Sequence, residues 1–146
     1  MPLAISLIMI AIYAQVMLTI ALLLIMGSRR MRALKEHKTT MADIALDPMA
    51  WPSDALKAAN AFKNQFEIPV LFYVVSLLFI GFTRPDLIVA TLAIAFVITR
   101  YAHALIHINS NHVKKRFYAF FAGVACVTLM WGYLLFSHIV LWVKLA

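Results

Sequence analysis

Charge is confined to a few points of this chain, and the runs between them are long. No Lys, Arg, Asp or Glu occurs from Met1 to Ser28, from Ile68 to Thr83, from Leu87 to Thr99, between Arg100 and Lys114, or from Phe117 to Val143. A helix needs about 20 mostly apolar residues to cross the hydrocarbon of a bilayer. The runs therefore predict four spans, near 3–27, 66–83, 87–108 and 117–142. Composition agrees, with 64% of the 146 residues hydrophobic and 13% charged; soluble domains are about half apolar and a quarter charged. The expected fold is all-α, an integral membrane four-helix bundle forming one domain over 1–146. Its sizeable aqueous segment is a loop near 28–65. A lone cysteine, Cys126, excludes a disulfide framework or a CxxC cluster.

The charges also predict an orientation. A signal peptide carries positive charge ahead of a short apolar core, whereas here Arg29, Arg30, Arg32, Lys35 and Lys38 follow the first apolar run. That order retains the segment as a helix. Lys57 and Lys63 share the first loop, and Lys114, Lys115 and Arg116 lie between spans three and four; Arg84 and Lys144 fall on the opposite side. The positive-inside rule then places loops one and three in the cytoplasm and both termini on the non-cytoplasmic side. A net charge of +7 is accounted for by these loops, so no nucleic acid partner is expected. The absence of an appended signal suggests a bacterial inner membrane with the active face cytoplasmic. Within the first loop, Asp47-Pro48 and Trp51-Pro52 read as turns. Ser53 or Asp54 would cap a helix from Ala55 that runs straight into span two.

Polar groups are costly in lipid, so those within the spans should face protein or a wet cleft. Asn60, Asn64 and Glu67 stand at i, i+4 and i+7; Arg100, His103 and His107 stand at i, i+3 and i+7, and Asn111 extends that stripe. Each set shares one helical face. Arg100 lies 8 residues inside the end of span three, about 12 Å deep at 1.5 Å per residue. Glu67 and Arg100 are expected to pair, because either alone would be an uncompensated charge. A structural ion pair would need only those two residues, whereas six or seven converge. Pro69 should disturb the helix beside Glu67 by displacing the carbonyl of Gln65. His103 and His107 also form HxxxH, a weak metal or haem signal without further ligands, and no metal is assigned.

The stretch Asn64-Gln65-Phe66-Glu67-Ile68-Pro69-Val70-Leu71-Phe72, with Arg100, His103 and His107 on the third span, resembles the MAPEG family. These are membrane-associated proteins of eicosanoid and glutathione metabolism, microsomal glutathione transferases among them. The resemblance covers the whole chain. It implies a homotrimer of four-helix protomers that binds glutathione as cosubstrate between subunits near the cytoplasmic face. The family's second-helix signature, Arg-xxx-Asn-xx-Glu followed by Pro, is matched by Asn64, Glu67 and Pro69, with Asn60 at the Arg position. Its Arg-xx-His-xxx-Tyr is matched by Arg100 and His103, with His107 at the Tyr position. Gly27, Arg30 and Arg32 resemble a basic stretch closing the first helix in the prostaglandin synthase branch. Arg116, nine residues after His107, falls where the family places an Arg that contacts the glutathione sulfur. Asn60 removes a guanidinium fork, for which Lys63, one turn away, is a partial substitute. His107 exchanges a phenol for an imidazole that can donate, accept or change charge.

The implied activity is that of a glutathione-dependent transferase or peroxidase acting on small lipophilic electrophiles in the bilayer. Arg116 would be catalytic by favouring the thiolate. Arg30, Asn60, Lys63, Asn64, Glu67, Arg100, His103 and His107 would bind glutathione or substrate. Two alternatives stand beside it: a catalytically inactive structural family member, and a small binding or transport protein that uses Glu67 as its membrane carboxylate.

Overall fold

The computed structural model describes residues 2–83 and 85–145. Six α-helices follow in chain order: α1 (Leu3–Lys35), α2 (Met41–Leu46), α3 (Ser53–Lys63), α4 (Ile68–Phe82), α5 (Leu87–Ile108) and α6 (Val113–Leu145). Short 3₁₀ turns occupy Pro48–Ala50 and Asn64–Phe66, and no strand occurs among the described residues. Four helical stretches are long and apolar enough to cross a membrane: Leu3–Lys35, Ser53–Phe82, Leu87–Ile108 and Val113–Val143. The helices overrun the predicted spans at their polar ends, since propensity does not stop where hydrocarbon does. Arg84, in the turn between α4 and α5, lies outside the described residues, as does the side chain of Lys144.

At 1.5 Å per residue, α5 is about 33 Å long and α1 about 50 Å. The hydrocarbon core is about 30 Å thick, so the 22 residues of α5 match it and the 33 of α1 exceed it. Arg29, near the end of α1, donates to the carbonyl of Ile108 at the end of α5, 3.1 Å away. The last turns of α1 therefore project past α5, on what is here termed the loop side.

Hydrocarbon offers no hydrophobic force between helices, so packing and polar contacts must hold them together. The main core joins Ile8 and Ala11 of α1, Phe72, Val75 and Phe79 of α4, Ala93 and Phe96 of α5, and Val127 and Met130 of α6. Phe72 and Phe96 stack with centroids 4.5 Å apart. The Ala55, Ala58 and Ala61 face of α3 has no exposed surface, and these small side chains let α3 lie close against α1. Gly123 does the same for α6: a Cβ there would stand 2.8 Å from Thr99 Oγ1 of α5.

The first loop departs from the sequence expectation in three places. Thr40 and Asp43 form a capping box that starts α2, a Thr-x-x-Asp signal that is present in the sequence. Further on, α3 does not run straight into α4. Its last turn tightens to 3₁₀, Glu67 takes φ −101° and ψ −107°, and α4 restarts with Pro69 in its first turn. The cause is local: proline has no N–H to donate, and its ring crowds the carbonyl four residues back. α3 also begins at Ser53 without a side-chain cap, directly after Pro52.

Candidate functional site

The interruption between α3 and α4 frees backbone groups beside α5. The carbonyl of Asn64 accepts a hydrogen bond from Arg100 Nη2 at 3.1 Å. Arg100 has no exposed surface, and its Nε and Nη1 have no partner among the described residues. Next to it, Gln65 Nε2 donates to the Ala61 carbonyl at 2.9 Å, and Gln65 Oε1 accepts from Gln15 Nε2 of α1 at 2.9 Å. This amide pair satisfies part of the polar surface exposed by the break and ties it to α1.

In front of Arg100 a cleft of about 460 Å³ opens between α3, the break, α5 and the start of α6. It is lined by Asn60, Lys63, Asn64, Glu67, His103, His107, Val113, Arg116, Phe117 and Phe120. Helical spacing produces this lining. Asn60, Lys63 and Asn64 point one way at i, i+3 and i+4, as do His103 and His107 at i and i+4. The Asn64 amide stands 3.5 Å from His107 Nδ1. The two imidazoles meet edge to face at 5.6 Å, and His103 lies 5.8 Å from the ring of Phe120. His103 is buried, and its Nδ1 has no partner among the described residues.

Arg116 reaches the cleft from the first turn of α6, where Nη1 donates to Asn111 Oδ1 at 2.6 Å. Asn111 is held for that task by its own backbone: φ is 50°, and its N–H donates to the Ile106 carbonyl at 2.7 Å. Asparagine tolerates this left-handed conformation better than most residues. The cleft thus sets a guanidinium and a lysine, with the Glu67 carboxylate opposing them, beside amides and imidazoles, and has Phe117, Phe120 and Val113 as an apolar wall. Such a site suits a polar anionic ligand that meets an apolar one.

Seven of the nine residues singled out from the sequence line this cleft: Asn60, Lys63, Asn64, Glu67, His103, His107 and Arg116. Arg100 backs it. Arg30 does not reach it; its guanidinium lies 5.0 Å over the ring of Trp51 in the loop. The expected Glu67–Arg100 ion pair is also absent, since the salt bridges among the described residues are Arg32–Asp54 and Lys38–Glu36. The break explains this, because it hands Arg100 a carbonyl and leaves Glu67 exposed at the cleft. Among the described residues no cluster of three His, Cys, Asp or Glu could hold a metal ion, and the two histidines lack a third ligand. The sequence reading missed Val113, Phe117 and Phe120; the last two follow Arg116 at i+1 and i+4, a spacing that could have flagged the wall.

Residues 8–136, most of the chain, match the MAPEG family. No curated protein and no solved structure matches the chain.

Proposed function

Because the chain belongs to the MAPEG family, membrane proteins of glutathione and eicosanoid metabolism, we propose that its cleft binds glutathione and activates the thiol toward lipophilic electrophiles. The observation that carries this reading is Arg116, braced by Asn111 at the mouth of a cleft with one polar and one apolar wall. A neighbouring guanidinium favours thiolate over thiol. The thiolate sulfur then attacks an electrophilic carbon held against Phe117 and Phe120. The carbon–sulfur bond forms as the bond to the leaving group breaks; the thiol proton goes to water and the leaving group departs as an anion. Lys63 and Arg116 attract the anionic tripeptide, while Asn60, Asn64, His103 and His107 offer hydrogen bonds to its amides and carboxylates.

The assembly that goes with this reading is a homotrimer whose neighbouring protomers close the cleft. The bias of cations toward the loop side supports a cytoplasmic active face with both termini opposite; the membrane that goes with this reading is a bacterial inner membrane. Calorimetry with glutathione and a conjugation assay on chlorodinitrobenzene test the activity in the purified protein. Expected are saturable binding, conjugate formation, and loss of the thiolate absorbance in R116Q while glutathione still binds. Absence of both binding and conjugation defeats the proposal.

One observation favours a second reading. A proton-coupled transporter of lipophilic cations needs a carboxylate free of any permanent cation, and Glu67 makes no salt bridge among the described residues. Proton-driven uptake into vesicles that E67Q abolishes would select that function instead.

A further inference from the structure

We propose that the segment from Met41 to Trp51 is an interfacial anchor lying in the headgroup–acyl boundary of the loop-side leaflet. Its apolar side chains enter the lipid, and the cations around it engage anionic headgroups. Helix α2 reads Met-Ala-Asp-Ile-Ala-Leu; five of its six residues are apolar, yet none is buried. Leu46 is 90% exposed, and Met41 and Met49 are each 68% exposed. On a helical wheel Ile44, Met41, Ala45, Ala42 and Leu46 cover one continuous arc. Asp43 lies outside it, bound into the capping box with Thr40. A six-residue helix has little stability of its own in water, and a contiguous apolar surface of this kind marks an interaction site. The protein offers α2 no cover; its principal neighbour is the turn Pro48–Ala50 that follows it.

The level at which the segment ends points to the cover. Trp51 packs under Arg30, and the adjacent Arg29 reaches the last carbonyl of α5. The chain has therefore returned to the plane where the hydrocarbon-length helix α5 ends, and there a half-buried indole is at home. Met49 is two residues from that ring. Charge complements the headgroups: residues 29–65 hold seven Lys and Arg against four Asp and Glu, and Lys114, Lys115 and Arg116 add three more. Lys35, Lys57, Lys114 and Lys115 make no salt bridge among the described residues. An apolar insertion and a basic surround together give the two signals that hold a segment at an anionic interface. Since α3 starts at Ser53, the anchor also sets the depth of the wall that carries Asn60 and Asn64.

Spin labels on the full-length protein, in a C126S background, test this in vesicles of phosphatidylcholine with and without phosphatidylglycerol. L46C and M49C are the reporting sites. L24C, on an exposed part of α1, marks hydrocarbon, and H37C marks water. Labels at 46 and 49 should collide with oxygen nearly as often as the label at 24, and with a water-soluble nickel chelate several-fold less than the label at 37. Adding phosphatidylglycerol should lower the chelate collisions further. Chelate access equal to that at 37 would overturn the proposal. So would protection from both reagents, which marks a protein partner, or indifference to lipid charge.

Discussion

Moving an arginine to the centre of a membrane helix costs about 2.5–3.5 kcal/mol on the insertion scale, and Arg100 recovers only part of that from the single carbonyl of Asn64. Its two unpartnered donors argue that the residue is kept for something other than the stability of the empty protomer. Replacing buried ionic groups by apolar side chains of similar volume is often neutral or stabilising by about 1–4 kcal/mol, and Arg100 leaves no carboxylate orphaned among the described residues. R100M should therefore melt at the same or a higher temperature than the parent when glutathione is absent. The same variant should lose the rise in melting temperature that glutathione produces, if a ligand carboxylate meets the free donors. Thermal unfolding in detergent with and without the tripeptide checks both halves. A marked drop in the ligand-free melting temperature of R100M would show that a carboxylate already pairs with Arg100 in the assembled protein.

Between helices, close approach is the stabilising device, and of the four glycines Gly123 is the one that permits it. A methyl group there would meet Thr99 Oγ1 at 2.8 Å, with Phe96 and Arg100 side-chain carbons behind at 3.7 Å, so α6 must move away from α5. Overpacking of this kind costs about 1–3 kcal/mol. G123A should show that loss in thermal or denaturant unfolding, and T99A added to it should restore most of it, a coupling expected only for residues in contact. At the other end of α5, Asp86 caps the helix by accepting from the N–H groups of Ile88 and Val89. The hydrogen bond from the Tyr133 hydroxyl, with these two after it, holds its carboxyl below the usual carboxylate range. A depressed folded-state pKa adds stability above the unfolded value, near 3.9, and that stability is lost as pH falls through the folded value. Melting temperature should thus decline below about pH 4, and D86N, which keeps a cap, should flatten that decline. Pro85-Asp86 before an apolar run is a local signal for such a cap. The break at Asn64–Glu67 was legible only by half: Pro69 announced a disturbance, but an unbroken helix was assumed in pairing Glu67 with Arg100. Redirecting Glu67 depends on backbone angles that no residue spacing encodes. Arg30 failed for a related reason, since its partner Trp51 comes back through the 15 residues that follow α1, whose path the spacing does not describe.

At the scale of the whole molecule, the four long apolar helices were readable because charge is expensive in lipid and so gathers at the polar ends, Arg100 excepted. The polar stripes were readable because 3.6-residue periodicity places them on faces. What stands beyond one chain was not readable, and the protomer itself raises the question. Glu67 is 15 residues before the end of α4, about 22 Å along the helix axis. In a hydrocarbon layer about 30 Å thick its carboxylate then sits roughly 8 Å inside the loop-side boundary, while remaining exposed. A short glutamate side chain cannot snorkel that distance, and in a lone protomer it would face lipid. Polar surface at this depth is tolerated where it meets protein or a water-filled cavity. In the proposed homotrimer, a neighbouring protomer set against the cleft would provide both. Native mass spectrometry of the protein released from mild detergent should accordingly give three copies of the 16.5 kDa chain. Cysteines placed at Asn60 and at the facing surface of a neighbour should cross-link in membranes before solubilisation. A monomer that binds glutathione with undiminished affinity would show instead that water alone fills the cleft, and the need for a second chain would fall away.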